Sequence, residues 1–268
     1  MRFTVLAPSQ AARVREIGAG EDGWRQVTVE NLNPTRPYRW LSRKQPGKWI
    51  ALFFFHEGLH QSVVDGSAFK EPHTLFSKID ARFLPDDSTQ LVHLATDGEF
   101  YGHHHRTGAE RLAATFRLAE AAGLQAVNYA QFLDAFPPPQ EVEIKTRTAW
   151  TCEHGLGRWT EDCGCRSAHL KEWRQHWRGP LRAALDWLAV ELDAVYEAHA
   201  GKYFRDYWSA REDYAQRLVD PSPAHAEAYL KRHQFAHLAE HEKVEALKLL
   251  ELQRQRLAMF TSCGWFFD

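Results

Sequence analysis

Residues 91–105 read LVHLATDGEFYGHHH. The opening run, Leu91, Val92, His93, Leu94 and Ala95, is apolar at nearly every position. Such a run predicts a strand buried on both faces, as in a parallel sheet. It stops at Thr96, and Asp97, Glu99, Tyr101, His103, His104 and His105 follow at once. Gly98 and Gly102 let the backbone turn sharply between them. Thr107 and Glu110 have the spacing of a capping box, with Thr at N-cap and Glu at N3. Leu112, Phe116, Ala119 and Ala122 then share one helical face, and Gly123 ends the helix. Carboxylates and imidazoles thus fall between the C-terminal end of a strand and the start of a helix. In barrels and open α/β sheets, active sites lie there.

Outward from this stretch, residues 2–7 (RFTVLA) read as a buried strand, with a short helix through Arg15. Residues 18–47 are loop-rich, because Pro34, Pro37 and Pro46 forbid long elements; 28–30 is at most an edge strand. Residues 49–55 (WIALFFF) form a second apolar strand and end in His56, Glu57 and Gly58, a polar cluster in the same relative place as the first. Glu57 and Asp65 are candidates to line a cleft. Phe69, Leu75, Ile79 and Phe83 recur at helical spacing, and 124–127 is a fourth short strand before Asn128 and Tyr129. Strands alternating with helices imply a parallel sheet with right-handed crossovers, about half of a barrel. Pro137, Pro138 and Pro139 mark the expected boundary between a partial (β/α) barrel, 1–137, and a helical domain, 138–268.

In the second part a helix is expected from near Pro180, a favourable N1 residue. Leu181, Leu185, Leu188, Leu192 and Val195 form its expected buried stripe. Ser209 and Glu212 read as a capping box. Ser222 and Pro223 open a long helical stretch that buries Val244, Leu247, Leu250, Leu257 and Phe260. The tail, TSCGWFFD (261–268), is expected to pack inward, since an exposed Trp, Phe, Phe run is an aggregation liability.

With 33 basic and 35 acidic residues the formal charge is -2, so no basic footprint points to nucleic acid or to a membrane surface. No apolar run approaches the ~18 residues of a membrane span, and the N-terminus lacks the ~7–15-residue apolar core of a signal peptide. The expected location is the cytoplasm. Cysteines there are thiols more often than disulfides. Cys152, His154, Cys163 and Cys165, with Cys263, make a candidate zinc set, although the C-x-H and C-x-C spacings differ from the usual C-x2-C. Buried thiols without metal are the alternative. No cofactor is expected.

Four motifs in order, TDGEFYGHHH (96–105), TAWTCEHGLGRW (148–159), EDCGC (161–165) and TSCGWFFD (261–268), resemble glycoside hydrolase family 57, the α-amylase, glucanotransferase and branching-enzyme group. Within it they are most similar to a bacterial subgroup with an uncharacterised C-terminal region. The resemblance spans nearly the whole chain. It implies an α/β then all-α fold, the C-terminal half of a (β/α)7 barrel followed by a helical bundle that closes over the site. It also implies an α-glucan partner, oligo- or polysaccharide, and a retaining mechanism with two carboxylates ~5–5.5 Å apart. Asp97 matches the acid/base residue. Glu99, His103 and His104 stand where the family binds substrate, and Trp150 and Trp265 each sit in a family motif and could stack on sugar rings. The family's nucleophile is a glutamate on an earlier strand, which this sequence lacks. The chain is therefore expected to need a missing N-terminal barrel half and to be inactive alone.

Two other readings fit the same residues. A metal-dependent deacetylase on a related barrel would bind its metal through His103, His105 and Asp97. A non-catalytic carbohydrate-binding or assembly module would use the aromatic residues without chemistry.

Overall fold

The computed structural model describes residues 2–86, 88–166 and 172–266. They form two compact units, 1–153 and 154–268. Phe267 and Asp268, at the end of the tail expected to pack inward, lie outside the described residues.

The first unit is built on one six-stranded sheet. Its strands are β1 (Phe3–Leu6), β2 (Ala11–Glu16), β3 (Arg25–Gln26), β4 (Tyr38–Leu41), β5 (Trp49–Phe54) and β6 (Gln140–Ile144), in the order β1-β5-β4-β6-β2-β3. The sheet is mixed: β1–β5 and β4–β6 are parallel, whereas β4–β5, β2–β6 and β2–β3 are antiparallel. The expectation of a purely parallel sheet is corrected accordingly. The continuous apolar run of β5 has the cause foreseen, since both of its faces are covered. Leu52 and Phe54 pack with Val14, Tyr38 and Val142. Ala51 and Phe53 point the other way, against Phe132 and Leu133 of α4 (Tyr129–Ala135). Successive side chains of a strand alternate faces, so a run buried on both has no polar position to spare.

Three segments differ from the reading of the sequence. Residues 91–95 and 124–127 are not strands. The 91–95 segment is tied to its neighbours at two backbone points, where Leu91 N donates to Thr35 O (2.8 Å) and His93 O accepts from His56 N (3.1 Å). Where a short helix through Arg15 is expected, the chain forms β2 (Ala11–Glu16) instead. The Pro137–Pro139 run leads into β6, which completes the sheet beyond it.

The β6 strand is held by charge as well as by backbone pairing. Glu141 stands in register with Arg39 on one side and Arg15 on the other. It accepts from Arg39 Nη2 (2.8 Å) and Arg15 Nε (2.7 Å) while only 5% exposed. Burial pushes its carboxyl up, but the two guanidinium hydrogen bonds outweigh that and hold it below the usual carboxylate value. A carboxylate depressed in the fold stabilises it above the unfolded pKa of ~4.3, and this contribution is lost as pH falls through the lower folded value. Glu141→Gln is expected to cost about 2–3 kcal/mol near neutral pH, less than a fully buried pair because both arginines reach solvent. Urea unfolding at neutral and at acid pH checks this: the difference between wild type and variant should vanish in acid.

The flank of this unit is helical: α1 (Glu57–Val64), α2 (Thr74–Asp80) and α3 (Gly108–Ala121). They share a core of Val63, Ala68, Phe69 and Leu75, with Leu94, Phe100, Tyr101 and Leu112 packed against it. Thr107 does stand at the N-cap of α3, but its backbone is helical and its hydroxyl makes no cap bond. The expected capping box does not form, because that cap needs an extended residue at its head.

The second unit carries α5 (Arg178–Ala200), α6 (Tyr207–Val219), α7 (Pro223–His233) and α8 (Glu240–Ala258). Its core joins Tyr196, Ala200 and Phe204 to Tyr214, Tyr229, Leu230, Ala246 and Leu250. Each buried tyrosine finds a hydroxyl partner, as burial requires: Tyr196 donates to Tyr207 O, Tyr229 to Ala210 O and Tyr214 to Glu251. The buried stripe of α5 is Ala189, Tyr196 and Ala200, whereas Leu181 and Val195 are exposed. Ser222 caps α7 with Pro223 in its first turn, as expected. The long stretch beyond it breaks at Gln234, and Val244 and Leu257 of α8 are exposed. Asp206, three residues ahead of the expected Ser209, caps α6. Among the described residues no helix is long and apolar enough to cross a membrane.

Candidate functional site

The parallel strands β1 and β5 end together in register at Leu6 and Phe54, just ahead of Pro8 and of Phe55–His56. A cleft of about 530 Å³ opens there, lined by Pro8, Asn33, Phe55, His56, Glu57 and Arg82 among others. Glu57, raised in the sequence as a cleft residue, does line it. His56 is the residue before α1, and its Nε2 is buried with no hydrogen-bond partner among the described residues.

His56 packs 6.5 Å from the ring of His93, which also meets Phe53 (5.9 Å) and the Tyr129 hydroxyl (Nδ1, 2.9 Å). Burial pushes both imidazoles down to about 4; the nearby Arg82 adds to this for His56, and His56 itself for His93. Both are therefore neutral at pH 7. An imidazole depressed below its unfolded value of ~6.5 stays unprotonated in the fold while the unfolded chain takes up protons. Stability is full above ~6.5 and is lost as pH falls from there towards about 4. His93→Gln is expected to make this acid loss shallower, which unfolding free energies measured across that window will show.

The 91–97 segment is fixed to the cleft edge by α1. His60 Nδ1–H donates to Ala95 O (2.6 Å). Its ring stacks on Trp150 (6.3 Å, 25°), and Trp150 packs edge-on against Phe55 (5.0 Å). One consequence is that Trp150 and the run into Asp97 are held through a single histidine. Trp150 remains half-exposed, as a platform would need to be.

Asp97 precedes a one-turn 3-10 helix (Gly98–Phe100) and is exposed. Its carboxylate makes no cap bond, so the ordinary role of a turn-entry aspartate does not occupy it. It is not among the lining residues of the cleft. The loop then folds back on Glu99, whose carbonyl accepts from His103 N and His104 N (3.0 Å each). Glu99 Oε2 lies 3.8 Å from His104 Nε2, and the His103 and His104 rings are 4.9 Å apart. Asp97, Glu99, His103 and His104 are thus brought into one exposed loop.

His105 turns away from this group. Its Nε2–H donates to Val64 O (3.2 Å), and its ring packs on Phe69 and Phe100. A Cβ at Gly66, whose φ is 75°, would stand 2.8 Å from the ring, so the imidazole fills the space that glycine leaves. His103, His105 and Asp97 do not form a metal-binding group among the described residues.

Trp265 belongs to the second unit. It is 3% exposed and stacks on Trp177 (5.7 Å, 24°). The tail is packed inward there, as expected. In the loop before α5, Cys152, His154, Cys163 and Cys165 offer ligand atoms within 4.8 Å of one another. Cys263, the fifth residue of the candidate zinc set, is exposed and outside that group.

The signal for the His56 and His93 pair was visible in the sequence, as one imidazole ending an apolar strand and one inside an apolar run. His60 gave none, because its role depends on the turn of α1 that aims it at Ala95.

Residues 173–268 match the family described as Domain of unknown function (DUF3536). No curated protein matches the chain. Among solved structures, an exo-type maltose-forming amylase from Pyrococcus sp. ST04 aligns over 98% of this chain and 47% of its own, at 16% identity and a TM-score of 0.57. A GH57 branching enzyme from Thermococcus kodakaraensis aligns over 100% of this chain and 58% of its own, at 12% identity and a TM-score of 0.45. The chain spans about half the length of the maltose-forming amylase. The likeness is one of fold: this chain is similar to about half of the maltose-forming amylase.

Proposed function

We propose that this chain is part of a retaining α-glucan-active glycoside hydrolase or glucanotransferase, and that Asp97 is its acid/base residue. The observation that carries the reading is the placement of Asp97. An exposed carboxylate, unused as a cap, follows a segment pinned by His56 and His60 to the C-terminal edge of the β1–β5 pair. Catalytic side chains in α/β folds come from that edge. The likeness of fold to the maltose-forming amylase and the motif around Asp97 support the same reading.

In a retaining reaction one carboxylate attacks the anomeric carbon while the other protonates the leaving oxygen, then deprotonates the incoming water or sugar hydroxyl. Asp97 takes the second role. Its nucleophile partner is assigned to the part of the amylase-like fold that this chain does not span. Glu99, His103 and His104 contact the sugar hydroxyls, and Trp150 offers a ring face for stacking. Trp265, buried on Trp177, acts on the packing of its own unit rather than on sugar.

The test is reducing-sugar release from starch and glycogen. The chain alone should release none, and the chain combined with a polypeptide carrying the second carboxylate should release it. Release by the chain alone, silenced by Asp97→Asn, would overturn the assignment of the nucleophile. Failure of every combination, with glycogen still retarding the chain in affinity electrophoresis, would favour a non-catalytic binding module.

A further inference from the structure

Among the described residues, a set of metal-ligating side chains comes together in the segment 152–165. Cys152, His154, Cys163 and Cys165 each offer one ligand atom, all within 4.8 Å of one another, and Cys165 Sγ is 3.4 Å from His154 Nδ1. A tetrahedral zinc site with bonds of about 2.0–2.3 Å places its ligand atoms roughly 3.6–3.8 Å apart. Side-chain rotations closing about 1 Å convert this loop into such a site.

The backbone is shaped for that convergence. Gly164, between Cys163 and Cys165, has φ 84°, a conformation that side chains rarely adopt. At Gly157 a Cβ would stand 2.9 Å from the Cβ of Cys163 and 3.2 Å from that of His154. Only glycine there lets the two ligand-bearing segments approach.

Charge supplies the independent argument. Arg178 is 0% exposed. Its Nη1 donates to Cys163 Sγ (3.9 Å) and Cys165 O (3.1 Å), and its Nη2 to Trp265 O (2.8 Å). Its guanidinium also lies near the Trp177 ring, and no carboxylate pairs with it among the described residues. A buried cation without a counter-charge is expensive. Three thiolates and a neutral imidazole around a divalent ion carry one net negative charge, next to the one positive charge of Arg178. The N–H···S contact is also the usual second-layer support of a ligating thiolate.

We propose that Cys152, His154, Cys163 and Cys165 hold a structural zinc ion in a closed four-coordinate site, with Arg178 as its buried counter-charge. The ion ties the loop together and takes no part in sugar chemistry. Chain purified without chelator should carry about one zinc per polypeptide through gel filtration. Cys163→Ser and Cys165→Ser should lose it, and Cys263→Ser should keep it. In case the serine variants fail to fold, wild-type chain stripped under reducing conditions is titrated with cobalt. It should develop the d–d and thiolate charge-transfer bands of a tetrahedral sulfur-rich site, and zinc should bleach them. Folded chain with neither zinc nor cobalt bands would overturn the proposal, as would iron with acid-labile sulfide in place of zinc.

Discussion

Asp97→Asn is expected to lower kcat on α-glucan by about 10³-fold, with KM nearly unchanged, in the assembly that carries both carboxylates. General acid–base catalysis contributes about 10²–10⁴-fold, and the amide has nearly the shape of the acid but cannot pass its proton to the leaving oxygen. Because Asp97 is exposed and its side chain makes no cap bond, the substitution should leave the thermal midpoint of unfolding where it was. That separates a chemical role from a structural one. Glu99→Gln is the contrasting variant. Glu99 lies beside His104, so its loss should act mainly on KM, the signature of binding shared by ground state and transition state. A fall in kcat of less than tenfold for Asp97→Asn would remove Asp97 from the reaction and leave the loop a binding surface at most.

How far the fold could be read depended on what determines each element. The strand at 49–54 was legible because burial on both faces leaves a run of apolar residues that no neighbour can disguise. The Ser222, Pro223 start was legible because caps are local chemistry, whereas α5 starts two residues before Pro180 with no side-chain cap. By contrast β2, β4 and β6 are strands through their partners. Arg13, Arg15 and Arg39 face Glu141 and Glu143 across the ladder, so their sequences look charged and irregular until the pairing is known. The 91–95 run shows the converse. It has strand composition, but among the described residues backbone pairing reaches it at two points, and composition cannot report how many neighbours a segment finds. The site divides in the same way. The Asp97 loop was legible as a dense polar cluster after an apolar run. The separation of His105 from its neighbours was not, since it rests on the space left by Gly66, far away in sequence.

Phe53→Ala is expected to carry the largest loss of stability in the first unit, about 3–5 kcal/mol. Phe53 is 0% exposed in β5, and three rings close on it: Phe3 (5.8 Å), His93 (5.9 Å) and Tyr129 (4.9 Å). Two of these belong to other parts of the site's frame. Tyr129 begins α4, which covers the sheet face, and His93 lies in the segment that leads to Asp97. Truncation therefore removes apolar burial and also leaves a cavity under His93 that the paired strands on either side cannot collapse to fill. With a urea m-value of roughly 1–3 kcal/mol/M, the unfolding midpoint should drop by about 1–5 M. Phe53→Leu keeps most of the volume and should cost roughly 1–2 kcal/mol. The functional consequence follows from the same contacts: in the alanine variant the 91–97 segment should loosen first, so activity of the assembled enzyme should fall at urea concentrations below the unfolding midpoint. A loss under about 1 kcal/mol would mean that this face of β5 is not the core that seats the loop, and the placement of Asp97 would lose its foundation.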